Sequence, residues 1–107
     1  MNGCLVIFFT QQDHRHHGKP LAEWLLHLPD ELGLSGATLI PAAEGIGHRH
    51  RRHSSHFFEL ADQPIMVQMV VTNEECTRLF AHLEAAHVKL FYVKAPVEFG
   101  MLGGEGA

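Results

Sequence analysis

The chain has 107 residues, of which 46% are hydrophobic and 19% are charged, and these values are typical of one small globular domain. Its formal net charge of −4 argues against a protein that binds duplex nucleic acid, since such proteins are basic overall. The first apolar run, residues 4–9, is too short for a signal peptide or a membrane span, so we expect a cytoplasmic protein.

The first third of the chain predicts a strand, a loop and a helix. Residues 4–10 form a continuous apolar run with β-branched and aromatic side chains, which is typical of a buried strand. Residues 11–19 are polar and indicate a loop, and Pro20 suits the first turn of a helix. Pro29 predicts a kink or a short second helix, and Gly33 ends the segment. The apolar positions of this helix recur every three or four residues: Leu21, Trp24, Leu25, Leu28 and Leu32.

The remainder predicts three more strands and a second helix. Residues 37–43 and 88–97 are apolar enough for strands, and residues 65–72 alternate between two faces, with Ile65, Val67, Met69 and Val71 on one of them. Asn73 is the predicted N-cap of the second helix, which ends near His87. Residues 57–60 predict an extended arm. We expect one domain over residues 1–99 and a flexible Gly-rich tail over residues 100–107.

This order of elements favours an α+β fold of the ferredoxin-like type, a βαββαβ plait with an antiparallel sheet and both helices on one face. A long loop joins its second and third strands. In that topology residues 13–17, residues 45–56 and His87 lie at one end of the sheet. Most of the histidines of the chain are therefore expected at that end.

Residues 45–56 hold the most unusual chemistry of the chain. They contain four histidines, three arginines and no acidic residue. The segment carries a charge of +3, so the remainder of the chain carries −7. Such a segment cannot bury itself, and we expect a solvated loop that binds an anionic or acidic partner.

A metal site is one interpretation of the loop. A flexible segment can bring two or three imidazoles around Zn²⁺, Cu²⁺ or Ni²⁺, and residues 13–17 could add ligands from the same end of the sheet. The neighbouring arginines lower the affinity for a cation, and the spacing matches no structural zinc motif. The candidate ligands are His48, His50, His53 and His56.

An anion site is the other interpretation. Arginine can donate paired hydrogen bonds to phosphate oxygens, and Lys19 lies beside the start of the first helix, where unpaired N–H groups attract anions. Gly45 and Gly47 permit positive φ where the chain leaves the second strand. The candidate effector-binding residues are Lys19, Gly45, Gly47, Arg49, Arg51 and Arg52.

The other chemically active side chains favour structural roles. Cys4 and Cys76 lie in apolar settings typical of buried thiols. Trp24 has the spacing of a core residue, whereas His27 and His82 fall on polar helix faces and are expected to be solvated. No nucleophile is predicted to lie near a base, and no pair of acidic residues has a motif context. We therefore expect a binding protein and no enzyme.

Several motifs resemble the PII-like domain-of-unknown-function 190 family. They are Gly18-Lys19-Pro20-Leu21, the Gly-Leu-Ser-Gly-Ala-Thr string of residues 33–38, Glu44-Gly45-Ile46-Gly47, and residues 60–67. The resemblance covers residues 3–98 and implies a ferredoxin-like protomer that assembles as a homotrimer. It also implies that the loop after the second strand, the T-loop, contacts a partner protein. Small effectors, often adenine nucleotides, bind between subunits in that family.

Our leading hypothesis is therefore a trimeric regulatory protein that binds a small anionic effector in an inter-subunit cleft and a partner, a membrane transporter, through the basic loop. The alternative is a divalent metal-binding protein for metal homeostasis or tolerance that uses the loop histidines. Binding of single-stranded nucleic acid is disfavoured, because no aromatic residues alternate with the basic ones in the loop.

Overall fold

A computed structural model of the protein describes residues 1–42, 44–46, 52–54 and 64–103, with only the backbone at 44–46 and 52–54. The elements follow in the order β1 (Asn2–Gln11), β2 (Arg15–His16), β3 (Lys19–Pro20), α1 (Leu21–Leu32), β4 (Thr38–Pro41), β5 (Glu44–Ile46), β6 (Arg52–Ser54), β7 (Pro64–Thr72), α2 (Asn73–Ala85) and β8 (Phe91–Glu98).

Four strands form the main sheet in the order β4-β7-β1-β8. All three pairings within it are antiparallel, so β1 lies between β7 and β8 and shares ladders with both. Each helix connects two strands that point the same way and are not neighbours. The predicted ferredoxin-like plait is therefore confirmed.

The core lies between the helices and one face of the sheet. Val6 and Phe8 of β1 are fully buried there, while their neighbours along the strand point to the other face. The predicted alternation of β7 is confirmed, because Ile65, Val67, Met69 and Val71 all belong to the buried cluster. The helices contribute Leu21, Leu25, Leu28, Leu79 and Leu83 to the same cluster.

Helix α1 passes through Pro29 without a break, so the predicted alternative of a short second helix is wrong. Proline removes one helical N–H, which costs stability. The turn is nevertheless held by burial, since Leu28 is 1% exposed and Leu32 packs against the core. The helix ends at Gly33 as predicted, with φ of 71°, a left-handed conformation that glycine adopts without strain.

Helix α2 begins one residue earlier than predicted. Thr72, not Asn73, is the N-cap, because its extended backbone lets its hydroxyl accept a hydrogen bond from the Glu75 N–H at 3.1 Å. The Glu75 carboxylate in turn accepts from the Thr72 N–H at 2.9 Å. This reciprocal pair is a capping box, and it satisfies two N–H groups at the helix start.

The polar stretch predicted as a loop, residues 11–19, contains a small hairpin of β2 and β3. His17 and Gly18 form its turn with φ of 52° and 80°, the conformation that a tight two-residue hairpin turn requires. At the other end of the chain, β8 begins at Phe91 and not at Val88.

Within the described ranges, neither helix is long and apolar enough to cross a membrane. The extended arm predicted at residues 57–60 lies outside the described residues, as does the end of the predicted tail, residues 104–107.

The capping box gives a testable expectation for stability. Thr72→Ala removes the hydroxyl acceptor of the Glu75 N–H, so the free energy of unfolding should fall by about 1 kcal/mol in urea titrations. Thr77→Ala is the matched control, because this exposed hydroxyl donates only to the Asn73 carbonyl within the same helix. Its effect should stay within about 0.5 kcal/mol. Equal losses in the two variants would contradict the role given to the cap.

Candidate functional site

The strand register brings distant segments to one end of the sheet. Gln11 pairs with Pro64, and Phe9 pairs with Phe91, so β1 finishes where β7 and β8 begin. Pro41, the last residue of β4, pairs with Ile65 at the same end. We call this the histidine end, since the loop and hairpin of residues 12–20 lie there and the chain leaves β4 from it.

The structure describes only some of the predicted effector-binding residues. Lys19 is exposed and pairs with His16 in the β2–β3 hairpin. The Leu21 N–H beside it donates to the His14 carbonyl at 2.7 Å, so this donor at the start of α1 is already engaged. Gly45 and Arg52 belong to β5 and β6. Three further candidates lie outside the described residues: Gly47, Arg49 and Arg51.

Part of the segment predicted as a solvated loop has regular backbone. Strands β5 and β6 pair in antiparallel fashion, with Gly45 opposite His53 and Ile46 opposite Arg52. This two-stranded ladder is separate from the main sheet. The residue pattern did not predict strands here. Strands pair through backbone hydrogen bonds, and polar residues can form these without an apolar pattern.

The metal interpretation gains no support from the described residues. Among them, no three His, Cys, Asp or Glu side chains are arranged to hold a metal ion. Of the predicted ligands, His53 is described only as backbone, and His48, His50 and His56 lie outside the described ranges. Metal binding by the loop therefore stays a prediction.

A stack of aromatic rings joins the hairpin to both helices. The His16 ring centre lies 4.4 Å from that of Trp24, and His82 stacks on Trp24 at 5.9 Å. His82 Nε2 is also 3.4 Å from a carboxylate oxygen of Glu31. Trp24 is half-buried against the core as predicted, but His82 is not simply solvated, since the fold supplies it with two partners.

Protonation of His16 is opposed by its surroundings. Partial burial is the main cause that lowers its pKa, and the neighbouring imidazoles of His17 and His14 lower it further. The His17 ring packs edge-on against His16 at 4.2 Å, and the His14 Nδ1 lies 3.1 Å from the Thr10 hydroxyl. Packing of the hairpin on Trp24 therefore favours the neutral form of His16.

Besides the histidine end, the sheet face that the helices leave uncovered is a candidate functional surface. Its side chains come from the strand positions opposite to the core, and they are mostly apolar: Leu5, Ile7, Phe9, Ile40, Met66, Val70, Phe91 and Val93. Phe91 is 55% exposed and Val93 is 44% exposed. The rings of Phe9 and Phe91 contact each other across the ladder at 5.6 Å. A connected apolar surface of this kind is typical of a protein–protein interface.

A pocket of about 450 Å³ opens on this uncovered face, at the start of β4. Hydroxyl and amide groups from Thr38 and Gln68, which pair across the β4–β7 ladder, lie beside the apolar Val70. The complete lining is Ser35, Gly36, Ala37, Thr38, Gln68 and Val70.

The sequence-based site prediction missed this pocket. The one sequence feature that pointed to the pocket was Gly36, the second glycine of the Gly-Leu-Ser-Gly-Ala-Thr string. Gly36 adopts φ of 151°, which residues with side chains rarely adopt. The Ser35 hydroxyl donates to Glu75 at 3.2 Å and so ties this part of the pocket lining to the start of α2.

Comparison with known proteins gives one family and several structural relatives. The profile of the DUF190 family, described as "Uncharacterized ACR", matches residues 3–99. A UPF0166 protein of Aquifex aeolicus (strain VF5) is 30% identical over 84 residues, which cover 78% of this chain and 80% of the relative.

Solved structures of PII-like proteins share the fold. CPII from Thiomonas intermedia K12, described as a nitrogen regulatory PII-like protein bound to ADP, AMP and bicarbonate, aligns with a TM-score of 0.69 and 17% identity. The alignment covers 94% of this chain and 91% of CPII. A candidate PII-like signaling protein from Thermus thermophilus aligns with a TM-score of 0.61 and 21% identity, over 91% and 88% of the two chains.

The His16 environment predicts how stability changes with pH. An unfolded chain binds a proton at His16 near pH 6.5, and the folded protein binds it only at lower pH, so acid favours unfolding at this position. The contribution of His16 is complete above about pH 6.5 and is lost as the pH falls through its folded pKa. Replacing His16 by Asn should therefore flatten the fall in urea midpoint between about pH 7.5 and 5.

His27→Asn is the matched control for this measurement, because His27 is exposed on the same helix that carries Trp24. That variant should keep the pH dependence of the wild type. If His16→Asn keeps it as well, the imidazole stack does not couple protonation to folding.

Proposed function

The chain belongs to the DUF190 family, and from this membership and the PII-like fold we propose that it is a regulatory protein that binds a small anionic effector between copies of itself. The observation that carries the proposal is the pocket on the uncovered sheet face, where a neighbouring copy would close it. Its PII-like structural relatives are described as regulatory or signalling proteins, which favours a binding role over catalysis.

We propose a homotrimer as the working assembly. The helices bury only one face of the sheet, whereas β1 and β8 present Ile7, Phe9, Phe91 and Val93 on the other. Covering that face with two further copies removes apolar surface from water, at about 25 cal/mol for each Å² buried. The number of copies comes from the resemblance to PII-like proteins, and the apolar face supplies the surface that such an assembly needs.

We propose an adenine nucleotide as the effector. The pocket combines the Thr38 hydroxyl and the Gln68 amide, which can hydrogen-bond to the edge of a base, with Val70 against which a ring can pack. From Thr38 to Pro41 the strand β4 spans about 10 Å, and it leads to the segment that contains Gly45 and Gly47. Phosphates extending in that direction would approach the basic candidates Lys19, Arg49, Arg51 and Arg52.

The adenine nucleotides named for CPII support this choice of ligand class.

We also propose a partner protein for the basic segment. Residues 45–56 follow β4, which ends at the histidine end, and their positive charge suits an acidic surface on a partner protein. Effector contacts at the base of this segment would order it and change its affinity for that partner, which we propose is a membrane transporter.

Calorimetric titration tests the effector. We expect ADP or AMP to bind the wild type, and Thr38→Arg to weaken binding at least about tenfold, or 1.4 kcal/mol, because the long charged side chain fills the pocket. The matched control is Thr77→Arg, the same exchange at an exposed threonine of α2. Affinity in the control should stay within about twofold. Absence of heat with either nucleotide in the wild type would rule out the adenine-nucleotide assignment.

Sedimentation tests the assembly separately. The wild type should sediment at three times the 12.0 kDa mass of the chain. Val93→Glu places a carboxylate on the proposed interface and should shift the protein to monomers at micromolar concentration, because a buried unpaired charge is costly. His27→Glu introduces the same charge on the exposed side of α1 and should leave the trimer intact. A trimeric Val93→Glu variant would place the interface elsewhere.

A further inference from the structure

The fold brings together two cysteines that the sequence keeps far apart. Cys4 and Cys76 are the only cysteines of the chain, and both are free thiols in the structure. Cys4 lies in β1 on the face that packs against the helices and pairs with Val71. Since β7 runs directly into α2, the first turn of that helix starts beside Cys4.

Three observations place the two thiols near each other. Cys4 Sγ donates a weak hydrogen bond to Asn73 Oδ1 at 3.9 Å. Asn73 and Cys76 are three residues apart in α2 and therefore share a helix face. The Cys4 side chain is close enough to help raise the pKa of the Cys76 thiol, and both side chains belong to the same packed cluster.

From this geometry we propose that Cys4 and Cys76 are a redox site, at which a hydroperoxide converts the two thiols into a reversible intramolecular disulfide. The site is separate from the pocket at the start of β4, and the proposal does not depend on nucleotide binding. A transient disulfide of this type is the form in which cytosolic proteins commonly use paired cysteines.

The two thiols have unequal environments, which sets the order of the reaction. Cys76 is 5% exposed, and burial is the main cause that raises its pKa, followed by the neighbouring Cys4 thiol. Lys94 acts in the opposite direction on the same group. Cys4 is only half-buried, so an oxidant meets its sulfur first.

The chemistry balances with hydrogen peroxide as the oxidant. The Cys4 thiolate attacks one peroxide oxygen, the O–O bond breaks, and the second oxygen leaves as hydroxide and takes a proton to become water. The Cys76 sulfur then attacks the sulfenic sulfur of Cys4, and the Cys4 hydroxyl leaves as water with the proton of Cys76. Two thiols lose two electrons in all, and one peroxide is reduced to two waters.

Mass spectrometry on the full chain tests the proposal directly. After treatment with dilute hydrogen peroxide and alkylation of the remaining thiols, trypsin should release residues 1–15 joined to residues 53–78, because cleavage follows Arg15, Arg52 and Arg78. The joined species should weigh two hydrogens less than the sum of the peptides and should disappear with dithiothreitol. Recovery of both cysteines alkylated, or of a disulfide between two chains, would overturn the assignment.

Thermal unfolding supplies a second readout on the wild type. The disulfide closes a loop of roughly 70 residues and constrains the unfolded chain, so the oxidised protein should melt at least about 5 °C higher than the reduced protein. An unchanged or lower Tm in a protein shown to be crosslinked would mean that the bond distorts the fold and is not accommodated by it.

Single variants test the order of the reaction. In Cys76→Ala, peroxide should leave a sulfenic acid on Cys4 that dimedone traps, since no second thiol is present to condense with it. In Cys4→Ala, buried Cys76 should remain an alkylatable thiol under the same treatment. Dimedone labelling of Cys76 in place of Cys4 would reverse the assigned roles. If a variant does not fold, the crosslinked peptide from the wild type still decides the main claim.

Discussion

The pairing of β1 with a strand on each side is the constraint on which the rest of the structure depends. Because β1 is apolar at nearly every position, it supplies Val6 and Phe8 to the core and Ile7 and Phe9 to the opposite face. Two helices can cover only one of these faces. The helices and one face of the sheet form the core, and the other face of the sheet is left as the apolar surface that the proposed assembly would cover.

The same register separates two regions that the proposed function connects. At the histidine end, the turn after β1 and the chain leaving β4 lie together. The pocket opens at the other end of β4, beside Thr38 and Gln68. Strand β4 therefore runs from the pocket toward the end of the sheet from which the chain continues into the basic segment. The proposed coupling between effector and basic segment depends on a ligand that lies along this strand.

Residues of one type acquire different chemistry from their surroundings. His27 is exposed on α1, whereas His16 and His82 both pack against Trp24. His82 faces Glu31, while burial and then the neighbouring imidazoles disfavour the charged form of His16. Likewise, the cysteines that composition describes as small buried hydrophobes become a contacting pair. A count of histidines or cysteines cannot distinguish these cases, because pKa and reactivity follow local packing.

The sequence alone determined the order of the four strands of the main sheet and the two helices, the buried face of β7 and the end of α1 at Gly33, because these features follow from periodicity and backbone preference over a few neighbouring residues. It missed the continuity of α1 through Pro29 and the cap at Thr72, where burial and a reciprocal hydrogen bond outweigh local propensity. Only the tertiary structure decided the lining of the pocket, the partners of Trp24 and the contact of Cys4 with Cys76. Each of these joins positions that are distant along the chain, and their proximity exists only once the sheet and helices have packed.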